Sequence, residues 1–243
     1  MKALPLSNKF YQPGEQRAAK VEDLFATIAR RYDLINDLQS LGLHRHWKRI
    51  LLKKAGIKPG ERALDLCCGT GDIAFALQAA GAEVVGIDFS PAMLAVAEER
   101  AKKAGGALKF LRADALKIPF DSGTFDVVTI GYGLRNLASW EQGLEEMARV
   151  ARPGGRLLVL DFGKPANKLW RAVYFTGLKT IVPLFGKMFC QDAAPYAYIY
   201  ESLCDYPAQI GVEAKLEAMQ CRDIAVRQIF GGAMSIHFGR TPA

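Results

Sequence analysis

Ala63-Leu64-Asp65-Leu66-Cys67-Cys68-Gly69-Thr70-Gly71-Asp72 is an apolar run that ends in an acid and breaks into a glycine turn. About one βα unit later, Val84-Val85-Gly86-Ile87-Asp88 repeats the pattern of a buried strand closed by an acid. Side by side in a parallel sheet, two such strands bring their carboxylates to one edge, where open α/β sheets bind nucleosides. Gly69 and Gly71 let the backbone turn sharply and approach a ligand with no Cβ in the way. Asp88 is then placed to accept hydrogen bonds from both ribose hydroxyls.

Gly69, Gly71 and Ala74 also satisfy the loose dinucleotide fingerprint, so the turn alone leaves a nicotinamide-dependent dehydrogenase open. Asp65 weighs against it. A carboxylate just ahead of the turn repels a pyrophosphate but suits a ligand carrying a cationic amino group, such as S-adenosylmethionine. The plainer reading of Asp65 or Asp72 is a cap on the helix that follows, and Asp72 stands at the mouth of the run Ile73 to Ala80.

The 243 residues, half of them hydrophobic, suffice for one full core, expected as a single α/β domain with additions. Five cysteines (Cys67, Cys68, Cys190, Cys204, Cys221) form no C-x-x-C pair, which suits a reducing compartment better than a disulfide framework. No metal is expected: His44 and His46 lie among Arg45, Trp47, Lys48 and Arg49 and read as a solvated basic helix face. The net charge of +7 implies an anionic partner surface or simply solubility. The start Met1-Lys2-Ala3-Leu4-Pro5-Leu6 lacks the apolar core of a signal peptide, so a cytoplasmic protein is expected.

Val21 to Lys54 carries helical periodicity, broken at Gly42. Strands and helices then alternate: Arg62 to Leu66, Asp72 to Ala80, Glu83 to Ile87, Pro91 to Ala104, Leu108 to Arg112 and Phe125 to Ile130. Trp140 to Ala151 predicts a helix stopped by Pro153-Gly154-Gly155, with the strand Arg156 to Leu160 after it. From Lys164 to Tyr198 the chain is apolar and aromatic-rich, and a further helix lies around Val212 to Met219. Asp223 to Ile229 and Ala233 to Phe238 read as strands. Their short connection, Phe230-Gly231-Gly232, forces an antiparallel hairpin, since a parallel crossover needs a dozen residues or more. A parallel sheet with one reversed strand is the result. Three segments are expected: a helical region at 1–55 covering the substrate, a cofactor-binding core at 56–163, and an insertion with the closing hairpin at 164–243.

Further motifs carry a resemblance. The glycine-turn run, Asp114-Ala115, Gly133-Leu134-Arg135-Asn136, Tyr32-Asp33-x-x-Asn36 and Gly42-x-His44-Arg45-x-Trp47-Lys48 resemble the quinone-biosynthesis C-methyltransferases of the menaquinone and ubiquinone pathways, over about Val21 to Arg240. The Gly-Leu-Arg-Asn string and the N-terminal segment are far more specific than the glycine turn. The resemblance implies the class I S-adenosylmethionine-dependent methyltransferase fold, with a seven-stranded sheet whose last strand is antiparallel. It implies a cofactor site of Asp65, Gly69, Thr70, Gly71, Asp88, Asp114, Ala115 and Gly131. Gly131 departs from the pattern, since many members have serine there; a hydroxyl contact is absent or comes from Tyr132 or water. The tail departs as well, in Glu201-Ser202-Leu203-Cys204-Asp205-Tyr206 and Phe230-Gly231-Gly232-Ala233-Met234.

The implied reaction moves a methyl group from a sulfonium to the ring carbon of a polyprenyl quinol, demethylmenaquinol before a benzoquinol. The electrophile is already activated, so the protein has to hold an in-line approach and raise the ring's electron density. Arg135 is expected to stabilise the phenolate and Asn136 to orient the hydroxyl. Tyr32, Asp33 and His44 are candidates for proton handling or lid contacts. For Arg135 the alternative is an ion pair with an acid such as Glu145.

Lys168, Arg171 and Lys179 fall opposite Leu169, Trp170, Phe175 and Leu178 on a helical projection, the composition of an interfacial helix on anionic lipid. A cover packed on the sheet is the alternative, and both can hold. Peripheral contact with the inner face of the membrane is therefore expected, and a homodimer is left open. A nucleic-acid amino-methyltransferase is disfavoured, because Ile130-Gly131-Tyr132-Gly133 replaces the Asn/Asp-Pro-Pro-aromatic motif and the clamp for a flipped base. An O-methyltransferase is the closest rival, and a membrane-associated S-adenosylmethionine-binding protein would not need the full acidic set.

Overall fold

A computed structural model describes residues 17–106, 108–190 and 194–243; the Met1 to Leu6 start lies outside them. Three helices come first: α1 (Arg17–Ile28), α2 (Tyr32–Ser40) and α3 (Leu43–Ala55), the last ended by Gly56 in the left-handed conformation. The alternating part follows as β1 (Arg62–Leu66), α4 (Asp72–Ala79), β2 (Glu83–Asp88), α5 (Pro91–Lys103), β3 (Lys109–Arg112), β4 (Phe125–Gly131), α6 (Trp140–Val150) and β5 (Ala151–Phe162). Sequence sets these boundaries locally. The Ser90 hydroxyl accepts the Met93 N–H ahead of Pro91 in α5, and Ser139 does the same for Gln142 in α6. Then come α7 (Lys168–Cys190), α8 (Ala194–Asp205), α9 (Ala208–Ala218) and the hairpin β6 (Arg222–Ile229) and β7 (Met234–Arg240).

The seven strands form one sheet in the order β3-β2-β1-β4-β5-β7-β6. β1 to β5 are parallel, and β7 runs antiparallel between β5 and β6. Chain order reverses between β1 and β4, which opens a crevice at the carboxyl ends of those strands. Leu66 pairs with both Ile87 and Ile130, so Asp88 and Gly131 each stand one residue past a common row, beside the glycine turn. In that turn Gly71 has φ 89°, and a Cβ there would lie 2.8 Å from Phe110 Cζ, so glycine is needed twice over.

One boundary differs from expectation. α6 ends at Val150, and β5 begins at once with Ala151, ahead of Pro153-Gly154-Gly155. Ala151 pairs with Phe125 and Arg156 with Val127, so the Pro-Gly-Gly segment bulges out inside the strand and stops no helix. Pro183 lies inside α7 and does not end it.

Side chains alternate across the sheet. Leu64, Leu66, Val128, Ile130 and Val159 pack on one face against α6 and α9; Ala63, Val127, Leu158 and Leu160 pack on the other against α3 and α4. By the same alternation Asp65 and Thr129 point to the second face. Asp65 is 1% exposed, its Oδ1 accepts a 2.8 Å hydrogen bond from the Thr129 hydroxyl, and its Oδ2 has no hydrogen-bond partner among the described residues. Burial in these surroundings pushes its carboxyl up to about 7.

A carboxyl that ionises near 3.8 when unfolded and near 7 when folded makes the fold less stable as pH rises between those values. Asp65→Asn keeps a Thr129 contact with no group to titrate. It is expected to melt higher than the parent at pH 8, by up to about 4 kcal/mol, and level with it at pH 4. Identical pH dependence of the two melting temperatures would show that Asp65 ionises freely.

Candidate active site

Two cavities adjoin at the carboxyl edge of the sheet. The smaller, about 300 Å³, is lined by Gly69, Asp88, Asp114, Ala115, Gly131 and Asn136 among others. The larger, about 510 Å³, is lined mainly by apolar side chains of α1, α2, α7 and the β6–β7 turn. Phe25, Tyr32 and Tyr132 line both and so form their common wall.

In the smaller cavity Asp88 braces the glycine turn. Its Oδ2 accepts the Gly69 N–H at 2.8 Å and its Oδ1 the Ser90 N–H at 2.9 Å. Each oxygen keeps a second lone pair for a ligand hydroxyl. Burial raises this carboxyl above its ordinary range, while the two N–H donors pull the other way. Asp114 is exposed, with Oδ1 taken by the Leu116 N–H. Asn136 Nδ2 donates to the Tyr132 carbonyl at 3.1 Å; its Oδ1 is buried with no partner among the described residues. A Cβ at Gly131 would lie 2.4 Å from Ile73 Cδ1, so in this chain the isoleucine methyl occupies the place a side chain there would need.

Three expected cofactor residues do not line this cavity. Asp65 is buried against Thr129, Gly71 shapes the turn, and Thr70 is buried with its hydroxyl on Asp33 Oδ1 at 2.8 Å. Arg100 donates to the Thr70 carbonyl at 2.8 Å and pairs with Asp33 and Asp72, and Lys48 pairs with Asp72 at 2.8 Å. Asp72, held below its usual range by these two cations, is thus a tie to α3 and α5. The network joins the glycine turn to α2 and α3.

In the larger cavity Tyr32, His44 and Arg135 come together; Asn136 does not join them and faces the smaller one. Arg135 is buried against Asp161, Nη1 to Oδ1 2.6 Å, and its N–H donates to Asp161 Oδ2 at 3.1 Å. Glu145, the partner considered from sequence, pairs with Lys215 instead. Arg135 Nη1 also donates to the Tyr132 carbonyl, the guanidinium lies 4.6 Å from the Phe162 ring centre, and Nε has no partner among the described residues. Tyr32 is hydrogen-bonded to Asn36, and burial raises its phenol above the ordinary value.

His44 is not on the solvated face its basic neighbours suggested. It is 3% exposed, while Arg45, His46 and Arg49 face solvent. Its Nε2 lies 2.8 Å from Asp37 Oδ1. Overhead, Trp170 Nε1 donates to the Phe230 carbonyl at 2.8 Å, the Tyr174 hydroxyl to that of Ala233 at 3.0 Å, and Phe230 meets Trp47 edge to face.

Sequence reasoning missed Asp161, Asp37 and the full role of Tyr132. Asp161 carried a usable signal, since Leu157-Leu158-Val159-Leu160-Asp161 is a third apolar run closed by an acid. Asp37 carried none: it meets His44 only because the chain reverses at Gly42, which has φ 75°.

The fold recurs in solved structures. A SAM-dependent methyltransferase from Aquifex aeolicus superposes with TM-score 0.57 at 22% identity, over 79% of this chain and 88% of that one. The [4+2]-cyclase SpnF gives 0.63 at 15% identity, over 95% and 98%. Sequence relatives are much nearer. The ubiquinone/menaquinone biosynthesis C-methyltransferase UbiE of Ectopseudomonas mendocina is 42% identical over 95% of this chain and 92% of its own. The demethylmenaquinone methyltransferase of Shouchella clausii is 36% identical over 94% and 99%. The ubiE/COQ5 methyltransferase family model matches residues 13–241, and the chain belongs to that family.

Proposed function

We propose that this protein is an S-adenosylmethionine-dependent C-methyltransferase acting on the ring of a polyprenyl quinol, with demethylmenaquinol as acceptor. The observation that carries the reading is the pair of cavities with a shared wall. One offers a glycine turn with no side chain in the way, the Asp88 and Asp114 carboxylates and an Asn136 oxygen with no partner among the described residues, groups that fit ribose hydroxyls and an amine. The other is large and mainly apolar, with its polar groups along α2, at His44, at Arg135 and on a few tyrosines, which fits a hydroquinone with a hydrocarbon tail. A demethylated benzoquinol is the second acceptor to test, because the 42% identical relative is named for both quinones.

Gly69, Asp88, Asp114 and Asn136 would hold S-adenosylmethionine, which supplies an electrophilic methyl group whose bond to sulfur breaks as the bond to the ring carbon forms. The chain's own task is to orient the ring and stabilise the oxyanion. Arg135 suits this: it lines a mainly apolar cavity and its buried Nε–H has no partner among the described residues, surroundings in which a charged donor acts strongly. Asp161 fixes the guanidinium in place.

The reading also places the protein at a membrane surface. Leu169, Trp170, Val173, Ile181 and Leu184 of α7 are exposed, and Phe230 beside them is 54% exposed. Trp170, Val173, Ile181 and Phe230 also line the larger cavity, so that cavity opens at this apolar patch. Lys168, Arg171 and Lys179 are exposed on the same helix. Among the described residues no helix is long and apolar enough to cross a membrane. Contact would be peripheral, with the patch as the tail's entrance.

The direct test is anaerobic incubation with labelled S-adenosylmethionine and each demethylated quinol, read by mass spectrometry. Methyl transfer to neither ring would overturn the reading. Asp88→Ala is expected to weaken S-adenosylmethionine binding by about 1.5–3 kcal/mol in calorimetry, with the fold retained. For Arg135, truncation strands the buried Asp161, so Arg135→Gln is expected to lose about 3–5 kcal/mol of stability. Adding Asp161→Asn should restore much of the stability and none of the turnover, measured by denaturant unfolding and single-turnover rate. Binding to anionic vesicles should fall with salt to an apolar remainder, since each basic residue adds about 1 kcal/mol that ions screen. Equal sedimentation with neutral and anionic vesicles would remove the electrostatic part.

A further inference from the structure

A phenolate is needed before a quinol ring attacks, and Arg135, always protonated, cannot accept the proton. Among the described residues that line the larger cavity, His44 is the one imidazole. We propose that His44, oriented by Asp37, takes the proton from the quinol hydroxyl next to the reacting carbon. This rests on the quinol reading above and names the proton acceptor within it.

The geometry is that of an oriented base. Asp37 comes from α2 and His44 from the start of α3, brought together by the reversal at Gly42. The Asp37 carboxylate can only accept, so the imidazole hydrogen sits on Nε2, and Nδ1 carries the free lone pair. That Nδ1 is buried and has no hydrogen-bond partner among the described residues, on a side chain that lines the cavity. Arg45 holds Asp37 from the solvent side through two contacts, Nε to Oδ1 2.7 Å and Nη2 to Oδ2 2.6 Å. Asp37 is thereby kept well below the ordinary carboxylate range and stays ionised. The His44 backbone N–H is 3.2 Å from Ser40 Oγ, which fixes the ring's base.

The charged groups around the imidazole are Asp37 on α2, Lys48 on α3 and Asp72 on α4. Burial and Lys48 lower its proton affinity; Asp37 and Asp72 raise it. Burial prevails, so His44 is neutral at pH 7 and available as a base. A histidine whose only task was packing would not need an ionised partner clamped by an arginine.

The proton balance closes. The quinol O–H bond breaks, its electron pair stays on oxygen beside the Arg135 charge, and the proton binds Nδ1. After the ring carbon has gained its methyl group it sheds its own hydrogen as a proton to water, and the imidazolium returns the first proton to the oxygen. One proton is released per turnover, as transfer from a sulfonium requires.

The experiment compares the full-length protein with His44→Gln and Asp37→Asn, using demethylmenaquinol under anaerobic conditions from pH 5 to 9. The parent should show a kcat limb falling toward acid with one proton, as His44 becomes charged. His44→Gln should lose this limb and about 10²–10⁴-fold in kcat, with calorimetric affinity for S-adenosylmethionine unchanged. Asp37→Asn removes the charge that stabilises the imidazolium, so its limb should move to lower pH. A His44→Gln enzyme within about threefold of the parent, or a limb that Asp37→Asn leaves in place, would overturn the assignment. If His44→Gln does not fold, the Asp37→Asn limb decides alone. Failure of the parent to methylate either quinol is a different result, which overturns the quinol reading itself.

Discussion

The backbone N–H of Gly69 and the hydroxyl of Thr70 are where the sheet and the helical cover are joined. From below, Asp88 at the end of β2 takes the Gly69 N–H; from above, Asp33 on α2 takes the Thr70 hydroxyl. Arg100 and Lys48 close the network through Asp72. Because the turn is held from both sides, Tyr32 on α2 sits against the nucleoside-type cavity as well as the apolar one. The wall that the two cavities share depends on that tie.

The second constraint is the burial of charge. Arg135 and Asp161 are almost fully removed from solvent, an arrangement whose desolvation is offset only by good geometry and further hydrogen bonds. Both are present: Asp161 also receives the Arg135 and Phe162 N–H groups, and Arg135 reaches the Tyr132 carbonyl. Arg17 of α1 donates to the Arg135 carbonyl, so the cover touches the turn that carries the cation. Such a pair is weak evidence for stability and better evidence for a fixed orientation, which a reaction governed by in-line approach requires.

Much of the fold was legible in the sequence. The apolar runs ending in Asp65 and Asp88, the glycine turn, and the Phe230-Gly231-Gly232 connection each act over a few residues, and apart from the early start of β5 the strands formed close to where they are expected. The Pro153-Gly154-Gly155 stop was misplaced because a bulge inside a strand and a helix terminator look alike until the register with β4 is known. His44 was misjudged for a related reason. Its basic neighbours are exposed, and helical spacing does not say which face another helix and a sheet will cover.

By itself the sequence determined the alternation of elements, the reversed last strand, the acidic edge and the family, since these follow from local periodicity, turn chemistry and motif spacing. Tertiary structure alone decided which of the acids line the smaller cavity. Asp65 and Asp88 read alike as strand-ending carboxylates, and alternation puts both on one face; yet Asp65, one residue short of the end of β1, is buried against Thr129, while Asp88, the last residue of β2, lines the smaller cavity. It also decided the partners of Arg135 and His44, which come from distant β5 and from across the Gly42 reversal. Burial and pairing are properties of a site built from several elements, and no single stretch of chain contains them.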